Sequence, residues 1–347
     1  MSTRRRSDRE SVATIRDVAR LAGVSIATVS RALSKPGMVS PATREQVMWA
    51  VEHAGYAPNL LARNLRRHQA GAILVMVRDI ANPFYPEIFR GAEAAARTLG
   101  FNVLSGNTDD EPERERDYLQ LVRTRRADGL ILVTGRLPES WPSLSRRNIA
   151  AVLACEPIAG VELPIVQIDN EAAAAGMVRH LIGFGHRRIA HITGPLDQVI
   201  ARDRLAGWRS ALRAAGLSAA QELVAEGDFR LGSGIAAAKR LLGLRPRPTA
   251  IFASNDESAI GAIQAIHEAG LAVPRDISVA GFDDILFAAA SYPPLTTIRQ
   301  PRHDLGEQAM ILLHGLLDGG TDRPTRIVLP TELVQRESTA PIPRGQK

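Results

Sequence analysis

From Gly71 onward, short apolar runs alternate with stretches of helical periodicity, and that alternation leaves few architectures open to the chain. The runs "AILVMV", "FNVLSG", "GLILVTG", "AAVLA", "RIAHITG", "TAIFAS" and "ISVAGF" read as strands. Apolar residues spaced three and four apart predict helices over 84–99, 112–125, 171–183, 203–215, 232–242, 256–269 and 302–317. A strand, a helix and a second strand pair in parallel, because the helix carries the chain back to the same end of the sheet. The expected class is therefore α/β, with parallel sheets covered by helices. Ligands of such folds meet the loops at the carboxyl ends of the strands.

The first seventy residues follow a different rule. In "TIRDVARLAGVSIATVSRALS", Ile15, Val18, Ala19 and Leu21–Ala22 recur at helical spacing. Thr14 is placed to cap this helix, with Asp17 three residues on to complete the arrangement. Gly23 ends it, free to take positive φ. Ser25 then caps a second helix whose Val29 and Leu33 face inward. So tight a turn makes the helices cross steeply, the geometry of a helix-turn-helix. The second helix presents Ile26, Ala27, Thr28, Ser30 and Arg31, small side chains with one long cation. A helix lying in a major groove needs that combination: small residues for close approach, and arginine to bond guanine. In "PATREQVMWAVEHAGY", Val47, Met48, Ala50, Val51 and Ala54 are expected to close a small three-helix core. Any three-helix domain would share that core; the charge distribution argues for the DNA-binding form.

The chain carries 43 Lys/Arg against 37 Asp/Glu, a net charge of +6. Residues 1–70 hold 12 basic and 5 acidic residues; the rest holds 31 and 32. The surplus sits wholly in the first fifth, as expected of a polyanion-binding head on a nearly neutral body. Arg4, Arg5 and Arg6 alone do not account for it. The basic start "MSTRRRSDRESV" has no apolar stretch behind it, so no secretory signal is expected. No apolar run reaches membrane-spanning length. The lone Cys155 allows neither an internal disulfide nor a cysteine metal cluster, and fits a reducing cytoplasm.

Together "ATIRDVARLAGVSIATVSRALS", "VSPATREQV" and "GYAPNLLARNLRR" resemble the DNA-binding head of the LacI/GalR (lactose-repressor) family, and the likeness runs through essentially the whole chain. It implies that Ile26, Ala27 and Arg31 read bases, and that Thr14, Ser25, Thr28 and Ser30 meet phosphates. Ile26 and Ala27 offer only apolar contact, so Arg31 should carry most of the hydrogen-bonded readout. In "APNLLARNLRRHQAGA", Pro58 ends the preceding pattern and Asn59 caps a short helix through Leu65. By the resemblance this is a hinge helix, marginal alone and ordered on DNA, where Leu65 wedges into the minor groove and Arg66 adds a contact. An ordinary basic linker is the alternative, though it would leave Leu61 and Leu65 exposed. Expected divisions are a tail at 1–12, the helix-turn-helix at 13–57, the hinge at 58–70, the body at 71–338 and a tail at 339–347. The resemblance adds that the body has two lobes, about 71–169 plus 300–329 and 170–299 plus 330–338, as in periplasmic sugar-binding proteins.

Polar and aromatic residues gather at the expected strand ends: Asn82, Phe84 and Tyr85 in "DIANPFYPEI", Arg204 in "ARDRLAGW", Asn255 and Asp256 in "ASNDESAIGA", Asp283 in "GFDD", Gln300 in "TTIRQP". Planar polar groups hold hydroxyls in pairs, and aromatic faces cover the apolar side of a ring, so the set suits a polyol. Each has a plainer role open to it. Of Asn255 and Asp256, Asp256 is expected to cap the next helix; Asp283 caps "DILFAA", and Arg204 forms a surface ion pair. Jointly they resemble the sugar-contacting set of ribose-type binding proteins and of this repressor family. Many relatives carry an acidic or aromatic contact where this chain reads Cys155-Glu156-Pro157; Glu156 is expected to take that place, with Cys155 simply buried. The likeness leans towards a pentose-bearing effector.

No Gly-x-Gly-x-x-Gly, phosphate-binding P-loop or zinc-type His-x-x-x-His is present, and "GSG" at 232–234 is too weak to hold a nucleotide by itself. His186 in "GHRR" is expected to be structural. The expectation is thus no enzyme, no cofactor and no metal, but a regulator, in the sense of a repressor, that binds near-palindromic operator DNA as a cytoplasmic, nucleoid-associated homodimer, under control of a sugar or nucleoside. The helices near 84–99 and 256–269 are expected at the dimer surface. A transport-type sugar-binding protein with a basic appendage is the other reading.

Overall fold

The computed structural model describes residues 13–34, 36–56, 70–137, 141, 149–158, 160–319 and 325–342. The chain divides into two compact units, residues 1–68 and 69–347. Asn59, Leu65 and Arg66 lie outside the described residues.

The first unit holds α1 (Ile15–Leu21), α2 (Ile26–Ser34) and α3 (Pro41–His53). Asp17 Oδ2 accepts from Thr14 N at 3.0 Å and Thr14 Oγ1 at 2.7 Å, which fixes the start of α1. Gly23 takes φ +61° in the turn, a conformation that costs a side-chain-bearing residue about 1 kcal/mol or more. Ser25 Oγ accepts from Thr28 N at 3.1 Å and starts α2. Ser40 does the same for α3 through Thr43 N at 3.2 Å, ahead of Pro41 at the first helical position. Val18, Ala22, Val29, Val47 and Ala50 form the core without solvent contact. Met48 is not part of it: the side chain is 48% exposed, because α3 turns only its Val47–Ala50–Val51 face inward. Leu21 is exposed as well.

The second unit contains two parallel sheets. The first has strand order β11-β5-β4-β3-β1-β2, built from β1 (Ala72–Val77), β2 (Asn102–Asn107), β3 (Gly129–Val133), β4 (Ala150–Ala154), β5 (Ile165–Ile168) and β11 (Arg326–Leu329). The second has order β7-β6-β8-β9, from β6 (Ile189–Thr193), β7 (Val224–Glu226), β8 (Ala250–Ala253) and β9 (Ser278–Ala280). Their central strands are buried along their length, as sheets covered on both faces require, and are apolar but for His191 and Thr193 of β6. Antiparallel β10 (Thr297–Arg299) and β12 (Glu332–Val334) form a ribbon where the chain passes between the sheets.

Among the described residues, eight α-helices complete this unit: α4 (Tyr85–Leu99), α5 (Pro112–Arg123), α6 (Asn170–Gly183), α7 (Val199–Ala214), α8 (Leu231–Leu242), α9 (Asp256–Glu268), α10 (Leu286–Ala290) and α11 (Arg302–Leu317). Helices α4 and α11 meet backbone to backbone: a Cβ on Gly91 would collide with His303 O, and one on Gly306 with Ile88 O. β5, β7, β10, β11, β12 and α10 do not stand out in the sequence, being three to five residues long. Helix α7 starts at Val199, four residues before the polar "DR" that seemed to open it. Among the described residues no helix is long and apolar enough to cross a membrane.

Candidate functional site

Every carboxyl-end loop of the two sheets that carried a candidate residue contributes to one cleft. Asn82 and Phe84 reach it from the β1–α4 loop, Tyr85 from the first position of α4, Glu156 from the end of β4, and Arg204 from α7. Asn255 and Asp283 reach it from the ends of β8 and β9, and Gln300 from the passage after β10. The sequence had not marked Arg78, Ile200 and Phe229, which also line it, nor given Cys155 a place there. Arg78 was legible by the same rule as Asn82, since it is the first residue beyond β1.

At one side of the cleft Arg204 and Asp283 face each other, buried, with Nη1 and Oδ1 3.7 Å apart. Arg204 is held by Nε donating to Asn170 Oδ1 at 2.9 Å and Nη1 to Ser254 O at 2.5 Å. Its guanidinium carbon lies 3.8 Å from the centre of the Phe282 ring, a cation–π contact. Asp283 accepts from Gln300 Nε2 at 2.7 Å through Oδ1, which leaves further lone pairs for a ligand. Burial raises the Asp283 carboxyl to about 6, against the opposing pull of Arg204 and Gln300. Arg204 is no surface ion pair, since it is 4% exposed.

Asp283 does not cap the following helix. Its φ is +117°, and Ile285 stands at the start of α10 without a side-chain cap. Asp256 does not cap α9 either. Asn255 does, accepting from Ser258 N at 3.0 Å while its Nδ2 donates to Phe229 O at 2.7 Å. Asp256 is turned to Ile285 N at 2.9 Å and Thr297 Oγ1 at 2.5 Å, tying α9 to β10. Asn255 thus combines the capping and cleft-lining roles, and Asn82 likewise accepts from Phe84 N at 2.8 Å.

At the other side Arg78 and Glu156 lie 3.9 Å apart, with Glu156 only 4% exposed. Glu156 Oε2 and Arg78 Nε are buried and have no hydrogen-bond partner. Burial raises the Glu156 carboxyl, offset in part by Arg78 and Arg204. Burial alone would lower Arg78; Glu156, Tyr85 and Asp110 more than reverse it, so it stays charged. Burial pushes the Cys155 thiol and the Tyr85 phenol upward, and both are neutral. Phe84 and Tyr85 pack edge to face, 5.4 Å between centres. The cleft thus offers hydrogen-bonding groups on apolar and aromatic walls, without an activated nucleophile.

In the first unit Ser25, Ile26, Ala27 and Arg31 are exposed on α2, with Thr28 and Ser30 half-buried beside them and Thr14 exposed at the start of α1. Ser25 and Thr28 hydroxyls lie 2.8 Å apart. His186, outside the cleft lining, contacts Thr249 Oγ1 at 3.0 Å and Ser278 Oγ at 3.1 Å, as a structural residue would.

Residues 14–59 match the family model of bacterial regulatory proteins, lacI family, and residues 178–339 that of a periplasmic binding protein-like domain. The HTH-type transcriptional repressor CytR of Escherichia coli (strain K12) is 40% identical over 335 residues, 96% of this chain and 98% of that protein. The ribose operon repressor of the same organism is 38% identical, covering 95% and 98%. Among solved structures, the lac repressor dimer bound to operator and the anti-inducer ONPF superposes with a TM-score of 0.81 at 32% identity, covering 95% of this chain and 100% of that one. The complex of the transcriptional regulator CelR with cellobiose gives 0.73 at 34%, covering 94% and 99%.

Proposed function

The chain belongs to the LacI family of bacterial regulatory proteins, and from that premise we propose that it is a sequence-specific transcriptional repressor whose operator affinity is set by a small sugar or nucleoside bound in the cleft. The observation that carries the reading is convergence. Asn82, Phe84, Tyr85, Glu156, Arg204, Asn255, Asp283 and Gln300, drawn from segments far apart in the chain, line one cleft. Asp283 accepts from a pair of ligand hydroxyls, Arg204 donates to ligand oxygens, and Phe84 and Phe229 cover the apolar face of the ring. The chain is not an enzyme.

Residues 13–57 bind DNA, 58–70 form the hinge, and 71–338 bind the effector and a second copy. Ile26, Ala27 and Arg31 read bases; Thr14, Ser25, Thr28 and Ser30 position the helix on phosphates; Asn59, Leu65 and Arg66 act in the hinge. The lac repressor it resembles is a dimer on its operator. Two-fold pairing here doubles the contacts of a small head and calls for a near-palindromic site. Leu286 and Phe287 are 78% and 53% exposed beside the start of α4, Tyr292 is 88% exposed, and a second copy of the chain covers them. The working compartment is the cytoplasm, at the nucleoid.

Selection from a random duplex pool tests the DNA half. A near-palindrome should emerge, bound about a thousandfold or more tighter than random duplex, with affinity falling steeply in salt. A protein of the transport type shows neither preference nor salt slope.

A further inference from the structure

The chain enters the body at the amino end of the first sheet. Asp128 holds that entry: its carboxylate accepts from Ala70 N and Gly71 N, each at 2.7 Å, just ahead of β1. The turn that leads from α5 to Asp128 carries Arg123, Arg125 and Arg126, all exposed. Among the described residues none of the three guanidiniums has an ion-pair or hydrogen-bond partner. Other arginines of this lobe do: Arg97, Arg114 and Arg136 face Glu93, Glu111 and Glu115 at 3.5, 2.8 and 2.7 Å. Asp128 itself is turned to backbone amides rather than to the arginines.

The turn also keeps arginine where glycine would sit more easily. Arg126 N returns to Leu121 O at 2.7 Å, and Arg125, at φ +57°, takes the left-handed position that closes α5. That conformation strains any residue with a Cβ but not glycine. A long cation held there against the local backbone preference points to a use beyond folding. Of the ends of the body, this is the one tethered to the DNA-binding head. Residues 57–69 span the interval, a reach of at most about 45 Å.

Resting on the repressor reading above, we propose that this arginine turn is a second DNA contact. Arg123, Arg125 and Arg126 meet backbone phosphates of the duplex that the head has bound, and add affinity without sequence preference. Guanidiniums that face no carboxylate suit phosphate oxygens, which they bond in pairs. In a two-fold dimer the turn occurs twice.

Fluorescence anisotropy on the full-length protein tests this, with the selected operator centred in about four helical turns of duplex and the salt varied. Arg123→Gln/Arg125→Gln/Arg126→Gln should weaken binding about tenfold or more at about 0.1 M salt. It should also flatten the log–log salt slope by about two or more, since each lost phosphate contact removes about 0.9. The triple lysine variant keeps the charges and should hold the slope to within about one. Arg245→Gln/Arg247→Gln/Arg275→Gln removes three charges from the turns that lead into β8 and β9 and should leave affinity and slope as they were. Arg125→Gly should flatten the slope by about one or more with a denaturant midpoint no lower than before, which separates DNA contact from folding. An unchanged slope in the triple glutamine variant, or an equal fall in the control, overturns the inference and leaves the repressor reading standing. A chain that selects no operator overturns both.

Discussion

Replacing Asp283 by asparagine tests the cleft with the smallest change of shape. The amide oxygen still accepts from Gln300 Nε2, now 2.7 Å from Oδ1, so the local fold should hold. Arg204 loses the opposite charge 3.7 Å away but keeps Asn170, Ser254 and Phe282. A hydrogen bond to a charged acceptor contributes about 1.5–3 kcal/mol, against about 0.5–1.5 for a neutral one. Two ligand hydroxyls on this carboxylate therefore make the substitution cost about 2 kcal/mol, roughly thirtyfold in Kd. The carboxyl titrates near 6 in the free cleft, and only the ionised form accepts both hydroxyls. Effector affinity in the unaltered protein should thus be full above about pH 7 and fall about tenfold per unit below 6. Asp283→Asn should remove that component. Calorimetry at pH 5, 6, 7 and 8 reads both effects, and the difference between the proteins separates Asp283 from Glu156. Equal affinity in the variant, or an identical pH profile, would refute the placement of the ligand on Asp283.

Arg31→Ala should lose about 1–3 kcal/mol of operator discrimination per head while keeping weak binding to random duplex, measured by competition titration; equal losses on both DNAs would sink its base-reading role. Leu286→Arg should shift the protein from dimer to monomer in sedimentation at micromolar concentration, with Tyr292 and Phe287 left exposed. The titration of His186 should show in stability: burial lowers it from 6.5 to about 4, so the unfolded chain binds the extra proton between those values. Its contribution is then full above pH 6.5 and lost at about 1.4 kcal/mol per unit as pH falls to 4. Denaturant midpoints for His186→Gln should be flatter over that window, and an unchanged slope would contradict the assignment.

Much of the sheet core was legible because parallel strands buried on both faces are continuous apolar runs; "AILVMV" and "TAIFAS" coincide closely with β1 and β8. The strands that stayed hidden, such as Val224–Glu226 and Glu332–Val334, are too short to have periodicity and owe their pairing to tertiary neighbours. Candidate cleft residues were legible because the fold class places ligands at strand ends. Arg78 was passed over, although it stands just beyond β1, because a basic residue after a strand looks like ordinary solvated charge; its packing against Glu156 sets it apart. Asp256 was misjudged because Asn255 and Asp256 are both good caps, and the choice lay with Thr297, 41 residues away in sequence.

Effector control of a repressor requires the cleft and the DNA-reading helix to be energetically coupled. Fluorescence anisotropy of a labelled selected operator, titrated with the full-length protein with and without saturating effector, measures that coupling directly. Operator Kd should change by about fivefold or more in one direction, with the same factor recovered when effector binding is titrated with and without operator. Asp283→Asn should show no such change at effector levels that variant cannot bind. An operator affinity indifferent to a demonstrably bound effector would contradict that coupling.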